Sequence, residues 1–387
     1  MEAYLDHAAT TPVFPQVREV MDRVMGEDYG NPSSKHTKGM VAEQYVKEAR
    51  EEIGKALKCQ TKEIIFTSGG TEANNMALIG TAMANCREGK HIVTTRIEHA
   101  SVHEPLAYLE ELGYRVTYLP VEPDGRVTPE AVEQAVGEDT ILVSVMHVNN
   151  EVGSVQPVEE IGAMLHRTNH KILFHVDGIQ AFGKMRIHPK KLGIDLLSVS
   201  GHKFHGPKGI GFLYVRDGVK IHPILFGGGQ QKGMRSGTEN VPGIAGLKVA
   251  VEMIFQEHQR KRENLFARKR QLVSGLEELE GVTVHALEGV PLEETAPHIV
   301  SAGFAGIRSE VMLHALAQEG VYVSSGSACS SNHPDLSGTL QAIGVAQDLL
   351  DATLRFSFSV NTTEEEVAHA LDAVGRLLPA LRRFTRH

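Results

Sequence analysis

A chain of 387 residues with 41% hydrophobic side chains can bury a large core and suggests about two domains. The formal net charge of −9, with lysine and arginine scattered and not clustered, argues against a non-specific electrostatic footprint for nucleic acid or an anionic membrane. The opening MEAYLDHAATTP lacks a basic stretch and apolar run, and Cys59, Cys86 and Cys329 stand far apart without C-x-x-C spacing, so we expect a soluble, cytoplasmic protein with neither a disulfide framework nor a metal site.

Along the chain, apolar β-rich runs at 63–67, 92–94, 116–119, 141–145, 172–176 and 196–199 alternate with helical stretches at 44–57, 71–85, 101–112 and 129–136. That alternation predicts an α/β fold in which helices cover a large, mainly parallel sheet. After Pro242 the texture changes. One long charged helical stretch is expected over 244–280, followed by short strands at 282–285 and 298–302 and an amphipathic helix over 364–381, as in a smaller α+β domain. The expected division is a large body of 15–257 and a small one of 1–14 with 258–387.

Three windows carry chemistry. SGHKFHGPKGIG at 200–211 directly follows an apolar run and places Lys203 among glycines, where a partly desolvated amine suits Schiff-base chemistry. A solvated turn lysine is the plainer alternative for this window alone. In FHVDGIQAFG at 174–183, Asp177 closes an apolar strand and Gln180 follows it; a carboxylate there can keep a pyridine nitrogen protonated, and an amide can bond a ring hydroxyl. SGGTEANN at 68–75 puts Gly70 and Thr71 at a helix start after a strand, where free backbone N–H groups suit an anion. After the run HIVTT comes His99, which could lie over an aromatic ring or move protons.

These windows, together with YLDHAATTP, GNPSSKHTKG, HVNNEVG, GGGQQKGMRSGTEN and SSGSACSS in that order along the chain, resemble the cysteine desulfurases of the NifS/IscS group, fold-type I pyridoxal-phosphate enzymes of the class-V aminotransferase kind. The resemblance runs end to end. It implies that Lys203 carries pyridoxal 5'-phosphate, that His99 stacks on its ring, and that Asp177 pairs with the pyridine nitrogen. It further implies that Gln180 and Asn149 face the ring hydroxyl, and that Gly70, Thr71, Ser200 and His202 hold the phosphate. Thr238 would reach the phosphate of a neighbouring subunit, making a homodimer, and Arg355 would receive the carboxylate of L-cysteine. Cys329, in a segment of small and hydroxyl residues, would be the nucleophile that accepts sulfur as a persulfide and passes it to an acceptor protein for iron-sulfur cluster assembly or tRNA thiolation. The FSVNTTEEE that follows Arg355 departs from the expected continuation, and Asn31 and His36 are candidates for the entrance without assigned roles. Selenocysteine lyase, aminotransferase and a scaffold for sulfur-acceptor proteins are the alternative readings.

Overall fold

The computed structural model describes residues 1–168, 171–325 and 336–384. Its strands in chain order are β1 Ala3–Tyr4, β2 Ile64–Thr67, β3 His91–Thr95, β4 Arg115–Leu119, β5 Thr140–Met146, β6 Leu173–Asp177, β7 Leu196–Ser200, β8 Gly211–Val215, β9 Val282–Val284, β10 Ile299–Phe304, β11 Val321–Tyr322, β12 Ser324–Ser325 and β13 Thr353–Ser357. Seven form one sheet in the order β2-β8-β7-β6-β5-β3-β4. Neighbours from β7 to β4 run parallel, while β8 is antiparallel to both β2 and β7. The strand β8 is absent from the sequence reading. Its position follows from connection length, since the chain leaves β7 and returns at once, and a short link joins only antiparallel neighbours.

Both faces of this sheet are buried because consecutive strand residues point to opposite sides. Leu197 and Phe212 join one core with helices Thr37–Leu57, Val158–Thr168 and Val241–Phe255, whereas Leu196 and Leu213 join another with helices Gly70–Ala84 and Ala100–Glu111. The strands therefore read as nearly unbroken apolar runs. A second sheet, ordered β12-β13-β10-β9 and antiparallel throughout, packs its Val300, Phe304, Leu354 and Phe356 against helices His258–Glu277, Ser309–Gln318 and Glu364–Phe384. Ala3 and Leu5 from the other end of the chain complete that core.

The single helical stretch expected over 244–280 is two helices, Val241–Phe255 and His258–Glu277. Glu257 breaks it with a left-handed φ of 50°, outside the helical well. The break redirects the chain: Ile244, Leu247 and Val251 enter the core of the large sheet, whereas Leu265, Leu272 and Leu276 enter that of the small one.

Candidate active site

A cavity of about 260 Å³ opens where β5, β6 and β7 end, at the carboxyl edge of parallel strands where loops converge. Asp177 is the last residue of β6, and Ser200 the last of β7. One turn of 3-10 helix, Gly201–Lys203, then swings Lys203 to the cavity wall. Its Nζ donates to the carbonyls of Ala8 at 2.6 Å and Ala9 at 2.8 Å. Beneath it, buried Lys184 donates to the Lys203 carbonyl at 2.5 Å, fixing the backbone that carries the amine. Burial and the neighbouring Lys203 charge depress the Lys184 amine to about 7.

The Asp177 carboxylate is 4% exposed. It accepts from Asn74 Nδ2 at 2.8 Å and from the Ile179 N–H at 2.9 Å. Burial raises its pKa, opposed by those hydrogen bonds and by the fields of His99 and Lys203. Asn74 also donates to Ser101 Oγ at 2.9 Å, and Ser101 Oγ lies 2.9 Å from His99 Nδ1. The Ser101 backbone N–H donates to the same Nδ1 at 3.1 Å, so the neutral ring carries its proton on Nε2. Asp177, Asn74, Ser101 and His99 thus form one continuous network on the cavity wall.

Helix Gly70–Ala84 begins at the cavity with Gly70 and Thr71. A Cβ on Gly70 would lie 2.2 Å from Ile179 Cδ1, so a larger residue there would have to displace the Ile179 side chain for the helix end to keep its approach to the cavity floor. Ser200 and His202 line the same end. Burial, then the Lys203 and Lys208 charges, lower His202 to about 4, making it a neutral ring near neutral pH. Gln180 donates to the Ala8 carbonyl at 2.9 Å, and its Oε1 faces His298 Nε2 at 3.3 Å. Arg355, on β13, lines the opposite wall.

Of the expected residues, Gly70, Thr71, His99, Asp177, Gln180, Ser200, His202, Lys203 and Arg355 meet at this cavity. Asn149 is a correction. Its Oδ1 accepts from the N–H groups of Glu151 and Val152, and its Nδ2 donates to the Ile97 carbonyl, so the side chain closes its own turn and stays out of the cavity lining. The next residue, Asn150, lines the cavity in its place. Thr238 is exposed and lies outside the cavity lining, although Arg235 of its segment pairs with Glu72 at 2.7 Å near the start of the cavity helix. His36 caps helix Thr37–Leu57, and Asn31 accepts from the Ser33 N–H; neither lines the cavity.

Cys329 lies outside the described residues. The described chain on both sides of it is anchored beside Arg355. Ser324 pairs with Arg355 across β12 and β13, and Ser337 Oγ donates at 2.5 Å to Glu151, whose neighbour Asn150 accepts from Arg355 Nη1 through its carbonyl.

Sequence reasoning missed Asp6, the carbonyls of Ala8 and Ala9, Asn74, Glu98 and Lys184. Asn74 had a signal, since it follows Gly70 by four residues and so shares its helix face. Glu98, beside His99, is buried with Oε2 unpartnered among the described residues. Burial raises its carboxyl to about 8. Among the described residues no helix is long and apolar enough to cross a membrane, and no group of three or more His, Cys, Asp or Glu side chains is placed to hold a metal.

Comparison with known proteins places the chain in a family. The family model of aminotransferase class-V matches residues 3–369. Cysteine desulfurase IscS of Dictyoglomus turgidum is 43% identical over 384 residues, covering 99% of this chain and 96% of the relative. The solved structure of a NifS-like protein superposes with a TM-score of 0.92 at 39% identity, covering 98% of this chain and all of that one. That of SspA in complex with cysteine gives 0.81 at 34% identity, covering 93% and 100%.

Proposed function

The chain belongs to the class-V aminotransferase family, and from that premise we propose that it is a cysteine desulfurase, converting L-cysteine to L-alanine while the sulfur passes to Cys329. The observation that carries this reading is one cavity with an amine, a buried carboxylate and a helix N-terminus on one side and a buried arginine on the other.

Pyridoxal 5'-phosphate fits these residues. The helix start at Gly70, where a Cβ would press on Ile179, would give backbone N–H groups to a phosphate; Ser200 and His202 would complete that hold. Asp177, fixed by Asn74 and Ile179, would pair with the ring nitrogen, Gln180 and Asn150, which line the cavity, would face the ring hydroxyl, and Lys203 would bind the aldehyde carbon. When bound, the cofactor supplies an electron sink for charge developing on the substrate.

The remaining work falls to the chain's own groups. Arg355 binds the substrate carboxylate, for which a planar guanidinium is suited. Lys203 Nζ takes the proton from the substrate α-carbon, and the Nε2–H of His99 is the second proton-bearing group on the same wall. The Cys329 thiolate attacks the substrate sulfur, forming an S–S bond as the C–S bond breaks. The electron pair stays with the carbon skeleton, and protonation gives alanine. The persulfide then goes to an acceptor protein serving iron-sulfur cluster assembly or tRNA thiolation, in the cytoplasm.

Two further assignments belong to this proposal. The division into bodies of 15–257 and of 1–14 with 258–387 is supported by the separate cores, with Ala3 and Leu5 buried among the C-terminal elements. A homodimer with shared sites is supported by exposed Thr238 in a segment tied to the cavity helix. Mixing Thr238→Ala with Lys203→Ala subunits should restore activity after exchange, and no recovery despite exchange would refute sharing.

Cys329→Ser tests the function directly. The variant should bind cofactor and cysteine as wild type does, yet form neither alanine nor sulfide at a meaningful rate, because a hydroxyl is a far weaker sulfur nucleophile than a thiolate. Near-native alanine and sulfide production with dithiothreitol present would instead make the enzyme a lyase that expels sulfide directly.

A further inference from the structure

Asp6 has no part in the chemistry assigned above, yet it holds the group that meets the substrate. It follows β1 and bridges to Ser357 of β13. Its Oδ1 accepts from Arg355 Nη2 at 2.8 Å, with the Arg355 side chain 4% exposed and that of Asp6 21%. Nη1 of the same guanidinium donates to the Asn150 carbonyl at 2.9 Å. Both terminal nitrogens are therefore held by the protein itself. The third, Nε, is buried and has no partner among the described residues, although Arg355 lines the cavity.

A buried donor without an acceptor is unfavourable, and a buried guanidinium without a counter-charge is more so. Asp6 removes the second cost and leaves the first. Because Asp6 holds Nη2 and the Asn150 carbonyl holds Nη1, the plane of the group is set before any ligand arrives. Each terminal nitrogen keeps a second N–H beyond these bonds, and the remaining N–H groups of the guanidinium are the donors that an incoming carboxylate can satisfy. Resting on the reading of Arg355 as the carboxylate site, we propose that Asp6 is a positioning residue for substrate recognition: it orients Arg355 so that the remaining N–H donors of the guanidinium meet the substrate carboxylate. The pair is already neutral, so discrimination comes from directed hydrogen bonds and not from net positive charge.

The test uses the cofactor-loaded enzyme with Asp6→Asn, Asp6→Ala and Arg355→Ala. Spectral titrations follow the binding of alanine, which carries the carboxylate without sulfur chemistry, and of alaninamide, which lacks the carboxylate. Asp6→Ala should weaken alanine binding about tenfold and raise KM for cysteine alike, while kcat stays within about twofold. Asp6→Asn, which keeps an oxygen where the carboxylate stood, should lose only about threefold. Alaninamide binding should be unchanged in both. Alanine binding within about twofold of wild type in Asp6→Ala, or equal losses for alanine and alaninamide, would overturn the proposal; the second result would make Asp6 a strut of the N-terminal segment. If Arg355→Ala itself keeps wild-type alanine binding, the reading of Arg355 falls first and the role of Asp6 with it.

Discussion

The two walls of the cavity handle charge in opposite ways. On the sheet side, Asp177, Glu98 and Lys184 are buried with no ion pair among the described residues, and burial moves each toward its neutral form. Their hydrogen bonds come from backbone groups and from Asn74 and Thr95. On the small-sheet side, buried Arg355 is ion-paired with Asp6. A low-dielectric wall makes ionisation costly and therefore tunable, whereas an ion pair holds a guanidinium in a fixed orientation for a ligand. The sheet wall suits proton and electron movement; the other suits recognition.

The largest expected effect breaks the sheet wall at its centre. Lys203→Ala should abolish covalent cofactor attachment and reduce turnover by about a thousandfold or more. Borohydride reduction of the wild type followed by peptide mapping should find the cofactor on Lys203, and a label on Lys208 would sink the assignment.

A pair of substitutions sharpens the contrast between the walls. Asp177→Asn should lower kcat about a hundredfold with little change in KM, because its charge acts on the reacting ring. Arg355→Ala should raise KM about a hundredfold, since a charge-assisted contact to the substrate is lost. Steady-state kinetics at saturating cofactor separate the two. If both variants shift KM and kcat equally, the division of labour is wrong.

Smaller effects lie in stability against pH. Glu98 has a folded pKa of about 8, above its ordinary 4.5, so the folded state holds the extra proton between those values. Its contribution is full below about pH 4.5 and is lost as pH rises through 8. Lys269, buried in the small core with Nζ donating to Thr295 Oγ1 at 2.6 Å and the Ala296 carbonyl at 2.9 Å, is depressed by burial to about 7. Its contribution runs the other way, present above about pH 10.5 and lost as pH falls through 7. Glu98→Gln should flatten the decline in Tm between pH 5 and 8, and Lys269→Met the rise between pH 7 and 10, each on the order of a few kcal/mol at most. Thermal melts across pH in which either variant tracks the wild type would show that the group titrates normally.

The smallest change probes the cofactor cradle. Gly70→Ala should weaken pyridoxal-phosphate affinity about tenfold, because Ile179 must swing away from a Cβ 2.2 Å from its tip. Equilibrium cofactor binding would check it, and unchanged affinity would mean that Ile179 yields freely.

The sequence by itself determined the periodic elements and the groups at their ends. Runs such as those that became β2, β5, β6 and β7 were visible because strands buried on both faces are continuously apolar, and Asp177 and Lys203 were visible because they close or follow such runs beside glycines. Gly70, Thr71 and His99 were placed in the same way, as residues that follow a strand and open a helix. Tertiary structure alone decided the rest. Whether Asn149 or Asn150 faces the cavity depends on which side chain closes the turn, and both lie in the same NN pair. The break at Glu257 depends on two cores that the chain must serve in succession. Above all, Asp6 lies 349 residues from Arg355, and Ala8 lies 195 from Lys203. Sequence pattern records only what neighbours along the chain require, whereas these contacts arise because the N-terminal segment leaves the small core and crosses the mouth of the large sheet.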